Sequence, residues 1–222
     1  MPPHPSPNQT ADPPSGASTR QTDRAKLHVD IVTCSPARNF ADLAISDALG
    51  MFRPAKQQKL ALIDIADDDK CCVSIARDDD LVVGYAAFHP PTAVESWGGD
   101  RSGEIIELGA VEVDPSYRGQ HLAQRLLEAS FAGGRFDHTI VIATMYVWHY
   151  DLKQTGLSSL DYRRMLERLY QSVGMEPFRT SDPEIRSDPA NQLMARIGPN
   201  CPSDVRQEFD RLRSQQLAAF GV

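Results

Sequence analysis

Between positions 104 and 121 the sequence sets three carboxylates, Glu104, Glu107 and Glu112, just ahead of a turn reading Tyr117-Arg118-Gly119-Gln120-His121. Glu107 and Glu112 sit inside the run EIIELGAVEV, among isoleucine, leucine and valine. A carboxylate in an apolar strand is costly unless it is paired or used. Both are therefore candidates for proton transfer, with a solvated acid or a salt-bridge partner as the other reading. The turn suits an anion. Successive backbone N–H groups of a strand-to-helix turn point outward without partners, and the helix dipole favours negative charge there. Arg118 adds a cation, and Gly119 lets a ligand approach the backbone closely. An ordinary turn whose amides are met by water satisfies the same geometry.

These residues need a strand and a helix to hold them. Residues 104–113 have the length and β-branched content of a strand, and Asp114-Pro115 stops it because proline has no N–H for a ladder. Leu122, Leu126, Leu127 and Phe131 then fall on one helical face, closed by Gly133-Gly134. The two-residue period of a strand puts Glu107, Gly109, Val111 and Val113 on one face and Glu104, Ile106, Leu108, Ala110 and Glu112 on the other. On that reading Glu107 and Glu112 cannot serve together. Residues 139–148 form a second apolar strand, and strand, crossover helix, strand implies a right-handed parallel unit with the two strands as neighbours or nearly so.

Around this unit, alternation over residues 26–33 reads as a first strand, and Phe40, Leu43, Ala44 and Leu49 fall at helical spacing. A further helix follows Pro54, with Arg53, Lys56 and Lys59 open to an acidic partner, to phosphates or to solvent. Residues 71–77 and 81–89 are strand-like runs around Asp78-Asp79-Asp80, a hairpin composition. Trp97, in the next loop, either packs or touches substrate. Ser158 with Asp161 has capping-box spacing and opens a helix with the stripe Met165, Leu166, Leu169, Tyr170 and Val173, ended by Gly174. Residues 177–180 and 192–197 read as short strands, and Val205, Phe209 and Leu212 mark a last helix. The economical arrangement is α/β (α+β), a mixed sheet of about six to seven strands flanked by about four helices.

With 222 residues, 41% of them apolar, the chain can bury one sizeable core. Residues 1–24 are rich in Pro, Ser, Thr and Asp and read as a disordered tail, leaving residues 25–222 as a single domain. Against 30 acidic side chains stand 23 basic ones, a formal charge of −7, which argues against broad nucleic-acid or anionic-membrane binding. No apolar run reaches the roughly 18 residues of a membrane helix, and the N-terminus lacks the apolar core of a signal peptide. A cytoplasmic protein is expected. Cys34, Cys71, Cys72 and Cys201 form no C-x-x-C pair, so buried reduced thiols are expected rather than a disulfide framework or a metal site.

VEVDPSYRGQHLAQRLL resembles the acetyl-CoA-binding motif of the GCN5-related N-acetyltransferases. Val113, Pro115, Tyr117, Arg118, Gly119 and Ala123 match it, while His121 stands where the motif has its second glycine. LYQSVGMEPF is similar to the family's late helix-to-strand pattern. FRPAKQQ, IELGAVEVDP, WHYDLKQTGL, DPANQLMARIG and FDRLR resemble one branch of the family, protein-lysine acetyltransferases of acetoin utilisation, over nearly all of the chain after the tail.

The resemblance implies the GNAT fold with splayed central parallel strands, acetyl-CoA as donor and no metal. Its implied acceptor and partner is AMP-forming acetyl-CoA synthetase, inactivated by acetylation of one lysine. Pantetheine would lie along Val111, Glu112 and Val113, and the pyrophosphate on the amides of Arg118, Gly119, Gln120, His121, Leu122 and Ala123. By the resemblance Glu107 occupies the place of the family's strand-borne base, with Glu112 second and Glu104 third. Tyr170 matches the tyrosine that protonates the departing thiolate, although a core role suits it as well, and His149 is an alternative acid or base. His121 would either crowd the pyrophosphate or bond to it. A homodimer is left open. Two competing functions remain, a small-amine N-acetyltransferase and a weakly catalytic acetyl-CoA-binding module that regulates a partner by docking.

Overall fold

The computed structural model describes residues 29–93 and 96–215; the tail expected over residues 1–24 lies outside them. Its elements, in chain order, are β1 (Val29–Val32), β2 (Ala44–Ile45), α1 (Ala55–Ala66), β3 (Cys72–Asp78), β4 (Leu81–His89), β5 (Ile105–Val113) and α2 (Leu122–Phe131). There follow β6 (Ile140–Met145), α3 (Leu152–Thr155), α4 (Ser159–Gln171), β7 (Glu176–Phe178), α5 (Pro183–Arg186), β8 (Gln192–Ile197) and α6 (Ser203–Ser214). Seven strands run in the order β1-β3-β4-β5-β6-β8-β7, and the two-residue β2 pairs with β4. β5 and β6 are parallel, whereas β4 with β5 and β6 with β8 are antiparallel, so the sheet is mixed.

Helices cover both faces. On one, α2 and α4 enclose Ile106, Leu108, Leu127, Val141 and Met194. On the other, α1 covers Tyr85, Ile75 and Val73, and α6 sets Val205, Phe209 and Leu212 against Ile105, Ile140 and Ile142. Leu126 and Leu127 are wholly buried, each stabilising the fold by about 1.5–3 kcal/mol. The α4 cap is as the spacing predicts: Ser158 Oγ accepts from the Asp161 amide at 3.2 Å and donates to Asp161 Oδ2 at 2.6 Å.

Four expectations need correction. Residues 40–49 form no helix: a short 3-10 turn, Ala37–Asn39, leads into β2, because the amides of Ala44 and Ser46 donate to carbonyls of Asp80 and Val82 instead of to their own segment. Lys59 is not an open cation; its Nζ donates to the Ala41 and Leu43 carbonyls at 2.5 and 2.6 Å and pins that segment. Cys34 and Cys72 are joined in a disulfide, while Cys71 and Cys201 are free and buried. The strand expected over residues 139–148 ends at Met145, where Asn191 Oδ1 takes the Val147 amide at 2.8 Å and the chain enters a 3-10 turn, Val147–His149.

Candidate active site

β5 leaves its parallel neighbour part-way. Ladder pairing with β6 covers only Ile105↔Ile140, Ile106↔Val141 and Glu107↔Ile142. Beyond Glu107, β5 stays with β4 and β6 stays with β8, so the two strands splay and open a cleft. Backbone polar groups along the parting edges have no ladder partner, and an extended ligand satisfies such groups by adding itself as a strand.

A β-bulge sits at the point of divergence. β4 and β5 pair as Ala87↔Ala110 and then Phe88↔Leu108, which leaves Gly109 as the extra residue. The bulge reverses the face alternation. Ile106 and Leu108 share a core with Val111 on the α2 side, whereas Ala110 joins the α1-side core. Glu112 lies on that same side, bonded to Tyr85. The strict two-residue period therefore fails here: Glu107 and Glu112 lie on the same face rather than on opposite ones. The His89 ring occupies the space beside Gly109: a Cβ at position 109 would stand 2.3 Å from His89 Nε2, so any larger residue there requires the ring to move.

One part of the cleft, about 290 Å³ in volume, is lined by His89, Trp97, Glu107, Thr144, Tyr146 and Glu184, with Gly109 and His149 at its junction with the second part. Glu107 is 8% exposed and its Oε1 accepts from Thr144 Oγ1 at 2.9 Å. His89 is its direct cross-strand neighbour, with Nδ1 donating to the Pro90 carbonyl at 2.9 Å. Trp97 is buried and stacked on Phe209 at 5.5 Å, so it packs and lines the cleft at once. Burial, then the carboxylates of Asp182, Glu184 and Glu107, push the Tyr146 phenol far above its ordinary range. Desolvation lowers the His149 pKa, against a smaller upward pull from Glu184. His149 meets Phe52, Tyr146 and Trp148 edge-on.

The other part runs along Leu108 to Glu112 and is closed by Met145, Tyr150, Tyr162, Leu166 and Tyr170. Tyr170 is 7% exposed within the α2-side core, and burial, with a smaller contribution from Tyr162, raises its phenol well above its usual value. Such a phenol stays a proton donor at neutral pH. Glu112 is committed elsewhere: Oε1 accepts from the Met51 amide at 2.8 Å and Oε2 from the Tyr85 hydroxyl at 2.7 Å. Glu104 is exposed and precedes the strand.

At the far end of β5, Asp114 organises the turn. Its Oδ2 accepts from Ser46 Oγ at 2.5 Å, and its Oδ1 accepts from the amide and hydroxyl of Ser116 at 2.8 and 2.6 Å. Burial, the largest single influence, pushes its pKa upward, but these bonds together with Arg118 outweigh it and the net shift is downward. The amides of Gly119 to Ala123 have no backbone acceptor among the described residues. Gly119 and His121 both have positive φ, 82° and 54°. That explains why the motif has glycine at the second position and shows that histidine meets the same turn at some conformational cost. Arg118 is turned aside, 3.1 Å from the buried Asp151, so it fastens the turn to α3 and leaves the row of amides facing outward.

The structure thus brings Glu107, Tyr170 and Val111 to the two joined parts of one cleft, with residues 118–123 in the turn and helix start that follow β5. Sequence reasoning missed His89, Thr144, Tyr146 and Glu184. Thr144 and Tyr146 were detectable as polar atoms within an apolar run; His89 was read only as the end of a strand. No group of three or more potential metal ligands occurs among the described residues, and no described helix is long and apolar enough to cross a membrane.

The comparisons with known proteins agree with this geometry. Residues 39–140 match the acetyltransferase (GNAT) family. The acetoin utilization protein AcuA of Bacillus licheniformis is 38% identical over 197 residues, 89% of this chain and 93% of that protein. AcuA of Bacillus subtilis strain 168 is 41% identical over 74% of this chain and 79% of that protein. The crystal structure of an acetoin utilization protein from Exiguobacterium sibiricum superposes with a TM-score of 0.82 at 38% identity, covering 84% of this chain and 88% of that one. The chain belongs to the GNAT acetyltransferase family, among the relatives of the acetoin utilization proteins, and is an acetyl-CoA-dependent N-acetyltransferase.

Proposed function

We propose that this enzyme is a protein-lysine N-acetyltransferase whose acceptor is AMP-forming acetyl-CoA synthetase, which the modification inactivates. The similarity to AcuA proteins over most of the chain supports the acceptor class. The observation that carries the reading is the cleft around Glu107: at about 290 Å³ it lies at the lower limit of ligand pockets. That volume suits one extended side chain presented by a larger molecule.

The residues present fit the donor. Acetyl-CoA supplies an acetyl thioester and a thiolate leaving group. Gly119, Gln120, His121, Leu122 and Ala123 would hold its pyrophosphate through their amides, and the edge of β5 at Val111, Glu112 and Val113 would hold its pantetheine. Glu107 removes the ammonium proton of the acceptor, fixed in its rotamer by the Thr144 hydroxyl. A lysine with a pKa of about 10.4 is almost wholly protonated at neutral pH, so some base must act. The bulge at Gly109 takes a residue out of the β4 ladder at this point and frees backbone polar groups for the reacting carbonyl. Tyr170, kept protonated by burial, donates a hydrogen bond to the departing sulfur. Its phenol lies above a thiol in pKa, so stabilisation of the thiolate by that bond, rather than full proton transfer, is its main effect. Glu112 is structural in this scheme.

The test is mass spectrometry of purified acetyl-CoA synthetase after incubation with the enzyme and acetyl-CoA, with the synthetase's activity followed in parallel. One acetylated lysine accompanied by loss of activity is the expected result. An unmodified synthetase, with free polyamines turned over instead, would move the assignment to small amines.

A further inference from the structure

The cleft that holds Glu107 has a second carboxylate, Glu184, whose part in the reaction is unassigned. Glu184 lies on α5, whose Ile185 packs in one core with Ile140 and Ile142 of β6, and it lines the cleft together with Tyr146 and His149. Its side chain is exposed. It forms no salt bridge or side-chain hydrogen bond among the described residues; its amide donates to Asp182 Oδ1, and its carbonyl accepts from Ser187 and from Asn191 Nδ2. Its charge nevertheless reaches into the cleft, where it contributes to the shifts of both Tyr146 and His149. The segment is held in place: Asp182 is 5% exposed, and its Oδ1 accepts from the Glu184 amide at 2.8 Å.

The charge inventory gives this carboxylate a use. Among the described residues, neither lysine nor arginine lines this part of the cleft, and its carboxylates are Glu107 and Glu184. An acceptor amine arrives as a cation, and moving it against Trp97 and Tyr146 strips water from it. Glu107 becomes neutral on taking the first proton, and the nitrogen becomes positive again as it attacks the thioester, so Glu107 cannot offset charge on the nitrogen at both stages. A carboxylate that is not consumed and stands at the mouth can.

We infer that Glu184 is the acceptor-recognition residue of this enzyme: its carboxylate captures the incoming ammonium at the cleft mouth and guides it to Glu107, selecting cationic side chains over acceptors that carry a negative charge near the amine. The inference rests on the lysine reading and specifies how the acceptor is chosen.

The experiment measures steady-state kinetics of the full chain with two acceptors, purified acetyl-CoA synthetase and a short peptide bearing one lysine, for the wild type, Glu184→Gln and Glu184→Lys. Loss of a partly exposed charge pair should raise the acceptor KM about threefold to fivefold in Glu184→Gln, and charge reversal should raise it about tenfold or more. The KM for acetyl-CoA and the pH profile of kcat should stay as in the wild type. Added salt should raise the wild-type acceptor KM and leave that of Glu184→Gln flat. Acceptor KM values within twofold of wild type in both variants, or a loss confined to kcat, would overturn the inference. The two readings separate cleanly. Peptide kinetics that follow Glu184 while the synthetase stays unmodified would refute the synthetase assignment alone, an acetylated synthetase whose KM ignores both variants would refute only the role of Glu184, and transfer to neither acceptor would refute both.

Discussion

Replacing Glu107 with glutamine tests the chemistry at its centre. Glutamine keeps the volume of the side chain and an oxygen that can accept from Thr144 Oγ1, so the change removes a base and little packing. At about pH 7.4 a lysine of pKa about 10.4 is neutral in about one molecule per thousand. A positioned base contributes about 10²–10⁴-fold. The variant should therefore lose about 10²–10³-fold in kcat near neutral pH, a rise of about 3–4 kcal/mol in the barrier. The pH dependence is the sharper signature. Without the base, the residual rate depends on amine already neutral in solution and should climb about tenfold per pH unit, so the gap to wild type narrows to less than about tenfold near pH 10. Coenzyme A release at saturating acetyl-CoA, followed from about pH 6.5 to about pH 10, measures both, with the thermal midpoint confirming an intact fold. A kcat within about threefold of wild type at neutral pH, or a deficit that stays constant with pH, would refute Glu107 as the base and return attention to His149 or Glu112.

Four further perturbations follow from the geometry. Tyr170→Phe leaves the buried ring in place and removes the hydroxyl, so kcat should fall about tenfold with the acceptor KM and thermal midpoint nearly unchanged; an unaltered kcat would make Tyr170 a core residue only. Gly109→Ala drives a methyl into His89 Nε2 and should destabilise by about 1–3 kcal/mol, with denaturant melts showing recovery in the Gly109→Ala, His89→Ala double variant and strict additivity counting against the clash. His121→Gly relieves a left-handed residue and should raise stability by at most about 1 kcal/mol, while calorimetry of acetyl-CoA binding reports whether the imidazole crowds or assists the pyrophosphate. Glu208 is held at about 2 by its hydrogen bonds from Arg211 and the Arg101 amide, with burial opposing them. A depressed folded pKa means that this stabilisation is present above the ordinary carboxylate range, near 4.5, and fades as pH falls towards 2. Acid unfolding should be shallower over that window in Glu208→Gln, and identical acid titrations would remove the assignment.

Most of the fold was legible in the sequence because its signals are local. The hairpin around Asp78-Asp79-Asp80, the α2 stripe, the Ser158 cap and the strand at 192–197 each rest on periodicity, caps and turn residues within a few positions, and the structure agrees with all of them. The misread segments are those whose backbone is satisfied from far away. Residues 40–49 have helical spacing, but β4 takes their amides and Lys59 takes their carbonyls. β6 stops at Met145 because Asn191, 44 positions from Val147, supplies a side-chain acceptor. The Cys34–Cys72 pair spans 38 positions, a separation that carries no sequence signature of its own.

The site shows the same division more sharply. The row of amides in the turn after β5 could be inferred from a proline, a glycine and a helix start. The relation between Glu107 and Glu112 could not be inferred from alternation, because alternation assumes an unbroken ladder. The signal against it was present: glycine in the interior of an apolar strand weakens the strand and marks a bulge or a close approach of another group. Gly109 proves to be both, the extra residue opposite β4 and the seat of the His89 ring. Given the bulge, the remainder follows. The strand reverses its facing after Leu108, Glu112 comes to the side of Tyr85 and Met51 where both its oxygens are used, and Glu107 is left at the last of the three pairs that β5 and β6 make before they part. On the proposed assignment, a base at Glu107 faces the opening but sits on a rigid ladder, and the glycine that disturbs the strand's period is also what sets Glu107 apart from Glu112.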